Sequence, residues 1–168
     1  KEKYTITAAL PYANGPIHIG HLAGVYIPAD IYSRYLRAIG KDIIFICGSD
    51  EHGVAISMKA KKENITPKEV IDKYDSIIKD AFKKFDISFD NYSRTSKKIH
   101  HETSLDLFED LKEKNLFSLI KSEQFFDVEE NQFLADRYIS GTCPVCDHEE
   151  AYGDQCEKCG STLSPEEL

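Results

Sequence analysis

The sequence predicts an α/β fold with a parallel sheet, followed by a small module held together by a metal ion. An apolar strand, a glycine-rich loop and a helix succeed one another near the N-terminus, and a second apolar strand follows, which predicts the sheet. Four of the five cysteines lie in two C-x-x-C pairs and predict the module. With 168 residues, of which 41% are hydrophobic, the chain can bury a core, so it is not disordered as a whole.

Residues 4–47 have the pattern of a βαβ unit. Residues 4–10 are β-branched and apolar, which predicts a buried strand, and the Pro-, Gly- and Asn-rich residues 11–21 predict a tight loop. The continuous apolar run of residues 43–47 predicts a second strand, buried on both faces as in a parallel sheet. The connection between the two strands should be right-handed.

The helix of this unit is predicted from about His21 to Ile39, where apolar side chains recur at intervals of three and four residues. Pro28 lies inside the pattern and should kink or reset the helix, because proline has no backbone N–H to donate. Gly40 should end it, since glycine readily takes the left-handed conformation that closes a helix.

Two more helices are predicted downstream. Thr66 and Glu69 form a capping box with a proline at the first helical position, and a second helix should run over about residues 96–114. A short extended piece, residues 87–92, lies between them. The first of these helices has one apolar face, formed by Val70, Ile71, Tyr74, Ile77, Ile78, Ala81, Phe82 and Phe85.

A change of composition divides the chain into two domains. Residues 1–62 carry eight basic and five acidic side chains, whereas residues 116–168 carry three basic and twelve acidic ones. The segments 117–126 and 132–139 look like strands around an acidic turn. We therefore expect one domain over residues 1–115 and a second over residues 116–168.

The composition also argues against several classes of protein. The net charge of −8 is unfavourable for binding nucleic acid, because phosphate contacts need lysine and arginine. The sequence contains no run of about 18 apolar residues, the length that a transmembrane helix needs. Its first residues also lack a signal-peptide pattern. We therefore expect a cytoplasmic protein with no membrane partner. Because the sequence does not begin with methionine, we expect it to belong to a longer gene product.

The loop after the first strand is predicted to bind an anion. Backbone N–H groups and the dipole of the following helix favour negative charge, and Gly15 and Gly20 let a ligand approach the backbone. The loop has no familiar phosphate-binding signature, but His18 and His21 can donate hydrogen bonds to phosphate oxygens. From spacing alone, the two histidines could also be a zinc-binding pair or ordinary surface residues.

Asp50 directly follows the second strand, at the sheet edge where α/β proteins bind ligands. A carboxylate there can pair with a substrate cation through charge-assisted hydrogen bonds. Alternatively, Ser49 and Asp50 could cap a helix. His52 could position a ligand or support the loop, and Cys47 is expected to be an inert buried thiol.

Cys143, Cys146, Cys156 and Cys159 are predicted to bind one structural zinc ion. Each C-x-x-C turn directs two thiolates towards the same ion, and four thiolates leave no open position for catalysis. The metal would replace a core that about 50 residues can hardly build, and His148 is surplus to the ligand set. An iron–sulfur cluster or a redox dithiol is the alternative. The acidic surroundings argue against direct phosphate binding by this module.

Residues 9–21, which read ALPYANGPIHIGH, resemble the signature of class I aminoacyl-tRNA synthetases, and specifically that of the methionyl-tRNA synthetase family. Residues 45–53, FICGSDEHG, are similar to the second strand and loop of that family. Residues 65–67 and 89–92 also fit, and residues 141–168 look like its zinc knuckle. The resemblance covers nearly the whole chain, in order.

The resemblance implies a fold and a reaction. The fold would be the N-terminal half of a Rossmann-like (HUP-type) nucleotide-binding domain over residues 1–115, with a zinc-knuckle connective insertion over residues 116–168. The reaction would be that of a methionine–tRNA ligase. L-Methionine and ATP, with Mg²⁺, would form methionyl-adenylate, and the methionyl group would then be transferred to tRNA(Met).

The resemblance also implies site residues. His18 and His21 would be catalytic, contacting the ATP phosphates and stabilising the pentacoordinate α-phosphate. Asp50 would accept hydrogen bonds from the α-ammonium group of methionine. The other ATP-binding residues would be Tyr12, Asn14, Gly15 and Gly20, and the other methionine-binding residues would be Leu10, Tyr12 and His52.

Parts of the family pattern do not occur in this sequence. It has no KMSKS loop, no second half of the methionine pocket and no anticodon-binding domain, so the chain resembles an N-terminal fragment that should be inactive without the remainder of the synthetase. Three alternatives remain: a synthetase for another apolar amino acid, a nucleotidyltransferase with a similar histidine loop, and a non-catalytic, zinc-stabilised binding module.

Overall fold

The chain divides between Leu116 and Phe117 into two units, in a computed structural model that describes residues 2–121, 123–128 and 131–168. The division falls beside the domain boundary that the sequence predicts, while the roles of the two domains stay predictions. Within the described ranges, no helix has the length and apolar character needed to cross a membrane.

The first unit contains the predicted parallel sheet. Strands β1 (Lys3–Thr7), β2 (Asp42–Ser49) and β3 (Asn91–Arg94) lie in the order β1-β2-β3, and both neighbouring pairs are parallel. Thr7, the last residue of β1, lies opposite Ile46 of β2. The α/β class is therefore confirmed, and the carboxyl ends of the three strands lie at one edge of the sheet.

Only one face of β2 is well covered. Phe45 is fully buried, whereas Ile44, which points to the other face, is 45% exposed. The prediction of a strand buried on both faces is wrong, because within the described residues the core cluster covers Phe45 and leaves Ile44 exposed. The core on that side is formed by Ala8, Leu22, Tyr26, Phe45, Ile78 and Phe82.

The first helix is not regular throughout. A single turn, α1 (Ile19–His21), leads into a π-helical segment, Leu22–Tyr26, and then into α2 (Ile27–Ala38). The irregularity expected at Pro28 is this π turn, which lies just before the proline. Proline has no backbone N–H to donate to a helical hydrogen bond. Gly40 has a φ of 74° and ends the helix as predicted.

Both downstream helices are confirmed as α4 (Pro67–Lys84) and α5 (Lys98–Glu113). The capping box of α4 is formed: the Glu69 N–H donates to Oγ1 of Thr66 at 3.2 Å, and the Thr66 N–H donates to the Glu69 carboxylate at 2.7 Å. The extended piece predicted over residues 87–92 pairs with the sheet only from the start of β3 onwards.

One helix was not predicted, namely α3 (Val54–Glu63) between β2 and α4. It lacks a broad apolar stripe, since its buried residues are Ile56 and Ala60. Ile77 and Phe85 of the predicted apolar face of α4 are exposed. A second core cluster joins α3 to α4 and consists of Ala13, Ile56, Ala60, Val70, Ile71 and Tyr74.

The second unit begins with little regular structure. β4 (Phe126–Asp127) and β5 (Gln132–Phe133) form an antiparallel pair of two residues each. Residue 122 of the first predicted strand lies outside the described residues. In the described parts of residues 117–126 and 132–139 the longer strands are wrong, because an apolar run forms a strand only where a partner can pair its backbone. Residues 129 and 130 of the predicted acidic turn lie outside the described residues.

The rest of the second unit surrounds the cysteines. β6 (Ser140–Gly141) pairs with β7 (Ala151–Tyr152), and short 3₁₀ turns cover Asp136–Tyr138 and Pro165–Glu167. The core of this unit consists of Cys143, Ala151, Cys156 and Leu163. Two of the four predicted metal ligands are therefore core residues.

Candidate functional site

An isolated parallel bridge between Tyr12 and Asp50 joins the loop after β1 to the segment after β2. The Asp50 N–H donates to the Pro11 carbonyl at 2.9 Å, and the Ala13 N–H donates to the Asp50 carbonyl at 2.8 Å. The bridge brings together two of the predicted substrate residues. Asp50 does not cap a helix, because α3 begins later with Gly53 as its N-cap residue, so that alternative is wrong.

His18 and His21 lie at the start of the first helix with stacked rings, whose centroids are 3.8 Å apart. Nδ1 of His18 accepts from the Gly20 N–H at 3.1 Å, and Nδ1 of His21 accepts from the His18 N–H at 3.2 Å. In a neutral imidazole one nitrogen accepts and the other donates, so a ring whose Nδ1 atom accepts has Nε2 as its donor. Both residues are exposed, and each Nε2–H can donate to an anionic ligand.

The two glycines of this loop differ in what surrounds them. A Cβ atom at Gly20 would lie 3.0 Å from Cε1 of His18, a contact tighter than side chains usually make, so a larger residue there would displace the ring by a few tenths of an ångström. A Cβ atom at Gly15 would meet no described protein atom within 4 Å. The structure ties Gly20 to the placement of His18, and the approach of a ligand at Gly15 stays a prediction.

The other predicted residues of the loop, Tyr12 and Asn14, are half-buried. Lys59 of α3 donates from Nζ to the backbone carbonyl of Asn14 at 2.7 Å, and the same Nζ lies 4.3 Å from the centre of the Tyr74 ring. A Cβ atom at Gly53 would lie 2.8 Å from the Tyr12 hydroxyl. Residues of α3 and of its N-terminus therefore contact the loop, although the sequence pattern gave no signal for this.

A cavity of about 200 Å³ lies at the carboxyl ends of the three strands. Among its lining residues are Leu10, which was predicted to border the substrate, and Cys47; within the described residues, Asp50 and His52 are not part of the lining. Burial raises the pKa of the half-buried Cys47 thiol to about 11, as expected for an inert thiol. The lining is completed by Thr7, Ala8, Ile46, Gly48, Ser93, Arg94, Thr95 and His100.

A buried carboxylate separates Asp50 from His52 in the sequence. Glu51 is 3% exposed and accepts hydrogen bonds from Ser49 Oγ at 2.7 Å, from Arg94 Nε at 2.5 Å, and from the Ser96 hydroxyl. Burial raises the pKa of Glu51, but these three hydrogen bonds outweigh it and hold the pKa below its ordinary value.

His52 is exposed and faces α5. Its Nε2 atom lies 3.4 Å from Nε2 of His101, and its backbone N–H lies 3.4 Å from Oδ1 of Asp50. The structure thus connects His52 to the start of α5, and contact with a ligand stays a prediction for this residue.

The four cysteines of the second unit form one cluster. Their Sγ atoms all lie within 4.8 Å of one another, with 3.8 Å between Cys143 and Cys159 and 3.6 Å between Cys146 and Cys156. In a tetrahedral site with Zn–S bonds of about 2.3 Å, the sulfur atoms are about 3.8 Å apart. Hydrogen bonds with Ser161 lower the pKa of the Cys159 thiol to about 6, whereas burial raises the pKa of Cys146 to about 12, so Cys159 ionises before Cys146. The donor set fits a tetrahedral metal ion.

Both C-x-x-C turns have the same backbone structure. The Asp147 N–H donates to the Cys143 carbonyl at 3.0 Å, and the Gly160 N–H donates to the Cys156 carbonyl at 2.8 Å. Asp147 and Gly160 have φ values of 55° and 75°, so each turn closes with a residue in the left-handed region. Two equivalent turns thus present the sulfur atoms in pairs.

A profile of the family described as tRNA synthetases class I (M) matches residues 4–168. The chain belongs to this family. It is 70% identical over 167 residues to the methionine–tRNA ligase of Flavobacterium johnsoniae and 69% identical over the same length to that of Flavobacterium psychrophilum. Each match covers 99% of this chain and 24% of the relative, so the chain spans about a quarter of the length of these curated relatives.

Solved structures of class I synthetases share the fold. Mycobacterium tuberculosis methionyl-tRNA synthetase bound by methionyl-adenylate aligns with a TM-score of 0.74 at 24% identity, covering 96% of this chain and 30% of that one. The ternary complex of Agrobacterium radiobacter K84 LeuRS with tRNA and LeuAMS aligns with a TM-score of 0.68 at 23% identity, covering 90% and 19%. At this identity the likeness shows the fold alone.

One contact of this class I synthetase chain depends on the π turn. The Tyr26 hydroxyl donates to the carbonyl of Ala9 at 3.0 Å, next to Leu10 in the chain, and Tyr26 is itself buried. The π-helical segment ends at Tyr26, so the extra residue in its turn helps to set where this side chain points. Apart from Pro28, the sequence contains no signal for this arrangement.

Proposed function

We propose that this chain is the N-terminal part of a methionine–tRNA ligase and contains the first half of its Rossmann-like catalytic domain. The observation that carries the proposal is the 70% identity over 99% of the chain to a curated ligase of that name. The candidate residues at the carboxyl ends of β1 and β2 support it, since α/β enzymes bind ligands there. The ligase would form methionyl-adenylate and transfer the methionyl group to tRNA(Met).

The first step requires stabilisation of charge at the α-phosphate of ATP. A carboxylate oxygen of methionine attacks the α-phosphorus, the bond to the bridging oxygen of the β-phosphate breaks, and pyrophosphate leaves with its Mg²⁺. We assign stabilisation of this charge to His18 and His21, whose Nδ1 atoms are held by the backbone and whose Nε2–H groups can donate to phosphate oxygens. Neither ring has to gain or lose a proton.

We assign the methionine site to the same edge of the sheet. Asp50 would accept hydrogen bonds from the ammonium group of methionine, and Leu10 would border the side chain from the cavity. The bridge between Tyr12 and Asp50 supports this assignment, because it holds an aromatic side chain and a carboxylate at neighbouring positions. His52 would complete the methionine site, and the other contacts to ATP would come from Tyr12, Asn14, Gly15 and Gly20.

In the second unit we propose one structural zinc ion bound by Cys143, Cys146, Cys156 and Cys159. Sulfur atoms within 4.8 Å of one another suit a single ion, whereas an iron–sulfur cluster would hold its ligands farther apart. Four thiolates leave no open position, so the ion would stabilise the fold and take no part in the reaction.

Methionine-dependent exchange of pyrophosphate into ATP tests the proposal. We expect exchange when the chain is extended to the length of its relatives, and none from the 168 residues alone. Exchange that depends on leucine, isoleucine or valine instead would identify a synthetase for another apolar amino acid. Nucleotide transfer without any amino acid would favour a nucleotidyltransferase.

A His18→Asn variant tests the histidine directly. The asparagine side-chain oxygen can still accept from the Gly20 N–H and cap the helix, but the Nε2–H donor is lost. We expect the exchange rate to fall by about 10²–10³ while the circular dichroism spectrum is unchanged. A rate equal to that of the unsubstituted protein would favour a non-catalytic binding module.

A further inference from the structure

We propose that Glu51 and Arg94 are positioning residues of the methionine site, which hold the Asp50 peptide so that its carboxylate can receive the substrate ammonium group. The inference rests on the proposed function. Glu51 comes directly after Asp50, and Arg94 is the last residue of β3. Neither residue was selected by the sequence motifs as a ligand-binding residue.

The Glu51 carboxylate is enclosed by the protein, while Arg94 also lines the cavity at the carboxyl ends of the strands. The side chain of Glu51 is 0% exposed and that of Arg94 is 19% exposed. Arg94 donates from Nε to Glu51 at 2.5 Å and from Nη2 to Asp72 of α4 at 2.7 Å. An enclosed carboxylate without its cation would be strongly destabilising, so the two charges fix each other's position.

The guanidinium of Arg94 connects three elements. It reaches Glu51 after β2 and Asp72 on α4, and its Nε atom lies 3.8 Å from Asp75, which Lys79 also contacts at 2.8 Å. A planar guanidinium that binds two carboxylates sets their direction as well as their distance. The orientation of the residue after Asp50 is therefore determined from β3 and α4.

Backbone hydrogen bonds hold the same segment from both sides. On the β3 side, the Glu51 N–H donates to Oγ1 of Thr95 at 2.9 Å, and the Thr95 N–H donates to the Ser49 carbonyl at 3.1 Å. On the β1 side, both backbone groups of Asp50 are paired with the loop that contains Tyr12.

The alternation of side chains then determines the direction of Asp50. Ser49 and Glu51 are buried and bonded to each other, whereas Asp50 is less buried than either. Successive side chains of an extended segment point to opposite sides, so fixing Ser49 and Glu51 on the inside directs Asp50 outwards. A displacement of the Glu51 backbone would therefore move the Asp50 carboxylate as well.

Arg94→Lys in the chain extended to the length of its relatives tests the inference. Lysine keeps the charge but cannot bind Glu51 and Asp72 with one planar group. Arg37→Lys is the control, because Arg37 likewise binds two groups with its guanidinium, the Ser88 hydroxyl at 2.7 Å and the Asp90 carboxylate at 2.8 Å, but just before the amino end of β3. We expect the KM for methionine to rise about tenfold in Arg94→Lys, with the KM for ATP unchanged and with neither KM changed in the control.

A KM for methionine that is unchanged in folded Arg94→Lys protein would overturn the inference, and so would an equal rise in both KM values. If Arg94→Lys does not fold, Thr95→Val tests the inference instead. This substitution removes the hydroxyl group that accepts from the Glu51 N–H, and it changes neither the charge nor the shape of the side chain. We expect a smaller rise in the KM for methionine there, and no rise would overturn the inference. If the unsubstituted protein shows no methionine-dependent exchange, the proposed function fails and the inference falls with it.

Discussion

His18 and Gly20 are fitted to each other at the start of the first helix. The Gly20 N–H donates to Nδ1 of His18 at 3.1 Å, and a Cβ atom on residue 20 would lie only 3.0 Å from the imidazole ring. The same hydrogen bond makes His18 the N-cap residue of α1. The glycine of the motif thus leaves room for the His18 ring and donates a hydrogen bond to it. The direction of the Nε2–H group depends on both residues.

Gly20→Ala should displace the His18 ring without unfolding the chain. The new Cβ atom would lie 3.0 Å from Cε1 and 3.1 Å from Nδ1 of His18, so the ring must shift by a few tenths of an ångström. A displacement of about 1 Å at a catalytic group can cost about 10²-fold in rate, and a smaller shift costs less. We therefore expect methionine-dependent exchange in the extended chain to fall by about tenfold, while circular dichroism is unchanged.

Gly24→Ala is the control for this substitution. A Cβ atom there would meet no described protein atom within 4 Å, and Gly24 lies in the same helix. We expect its exchange rate to stay within about twofold of the unsubstituted protein, with a gain in stability of up to about 1 kcal/mol. Equal losses in the two variants would show that the helix, and not the His18 ring, is sensitive to added side chains.

Cys146→Ser should release the metal from the second unit. The substitution would remove one of the four proposed thiolate ligands, and two of the others, Cys143 and Cys156, belong to the core of this unit. We expect zinc, measured by mass spectrometry of the purified chain, to fall from one ion per chain to well below one. The second unit should then become sensitive to protease.

The first unit should keep its helical circular dichroism in Cys146→Ser, because its own core clusters contain none of these cysteines. Cys47→Ser is the matched control and should retain the ion, since Cys47 lies in β2 and outside the cluster. Loss of zinc from Cys47→Ser, or its retention in Cys146→Ser, would contradict the assignment of ligands.

The sequence predicted the elements that have a strong local signal. The capping box of Thr66 and Glu69 and the left-handed stop at Gly40 are both present, because each depends on a few neighbouring residues. The cysteine cluster forms as expected, since each C-x-x-C turn closes locally. The π turn before Tyr26 and the unpredicted helix α3 have no comparable signal.

The sequence allowed the individual residues of the candidate site to be predicted, but not the contacts between them. The motifs pointed to Tyr12 and Asp50, whereas their pairing depends on two backbone hydrogen bonds between distant segments. The burial of Glu51 with Arg94 likewise depends on how β2 and β3 lie together. Periodicity also failed for Ile44, because an apolar run does not reveal whether both faces of a strand are covered.

Thr66→Ala should destabilise the first unit by about 1 kcal/mol. The substitution removes the acceptor of the Glu69 N–H and one of the two groups that hold the Glu69 carboxylate. Thr66→Ser is the control, because serine retains the hydroxyl group, and its stability should lie close to that of the unsubstituted chain. Urea unfolding followed by circular dichroism measures both. A loss in Thr66→Ser as large as that in Thr66→Ala would show that the methyl group matters and the cap does not.

Cys47 should react slowly with iodoacetamide at neutral pH. Burial raises the pKa of its thiol from 9.0 to about 11, and only the thiolate is alkylated. Below both pKa values the thiolate fraction is then about a hundredfold lower than for an unperturbed cysteine, and the rate should continue to rise with pH until about pH 11. Peptide mass spectrometry of the zinc-loaded chain gives the rate at this residue, with N-acetylcysteine as the reference. A rate that levels off near pH 9 would show that the thiol is more accessible to water than its position in β2 indicates.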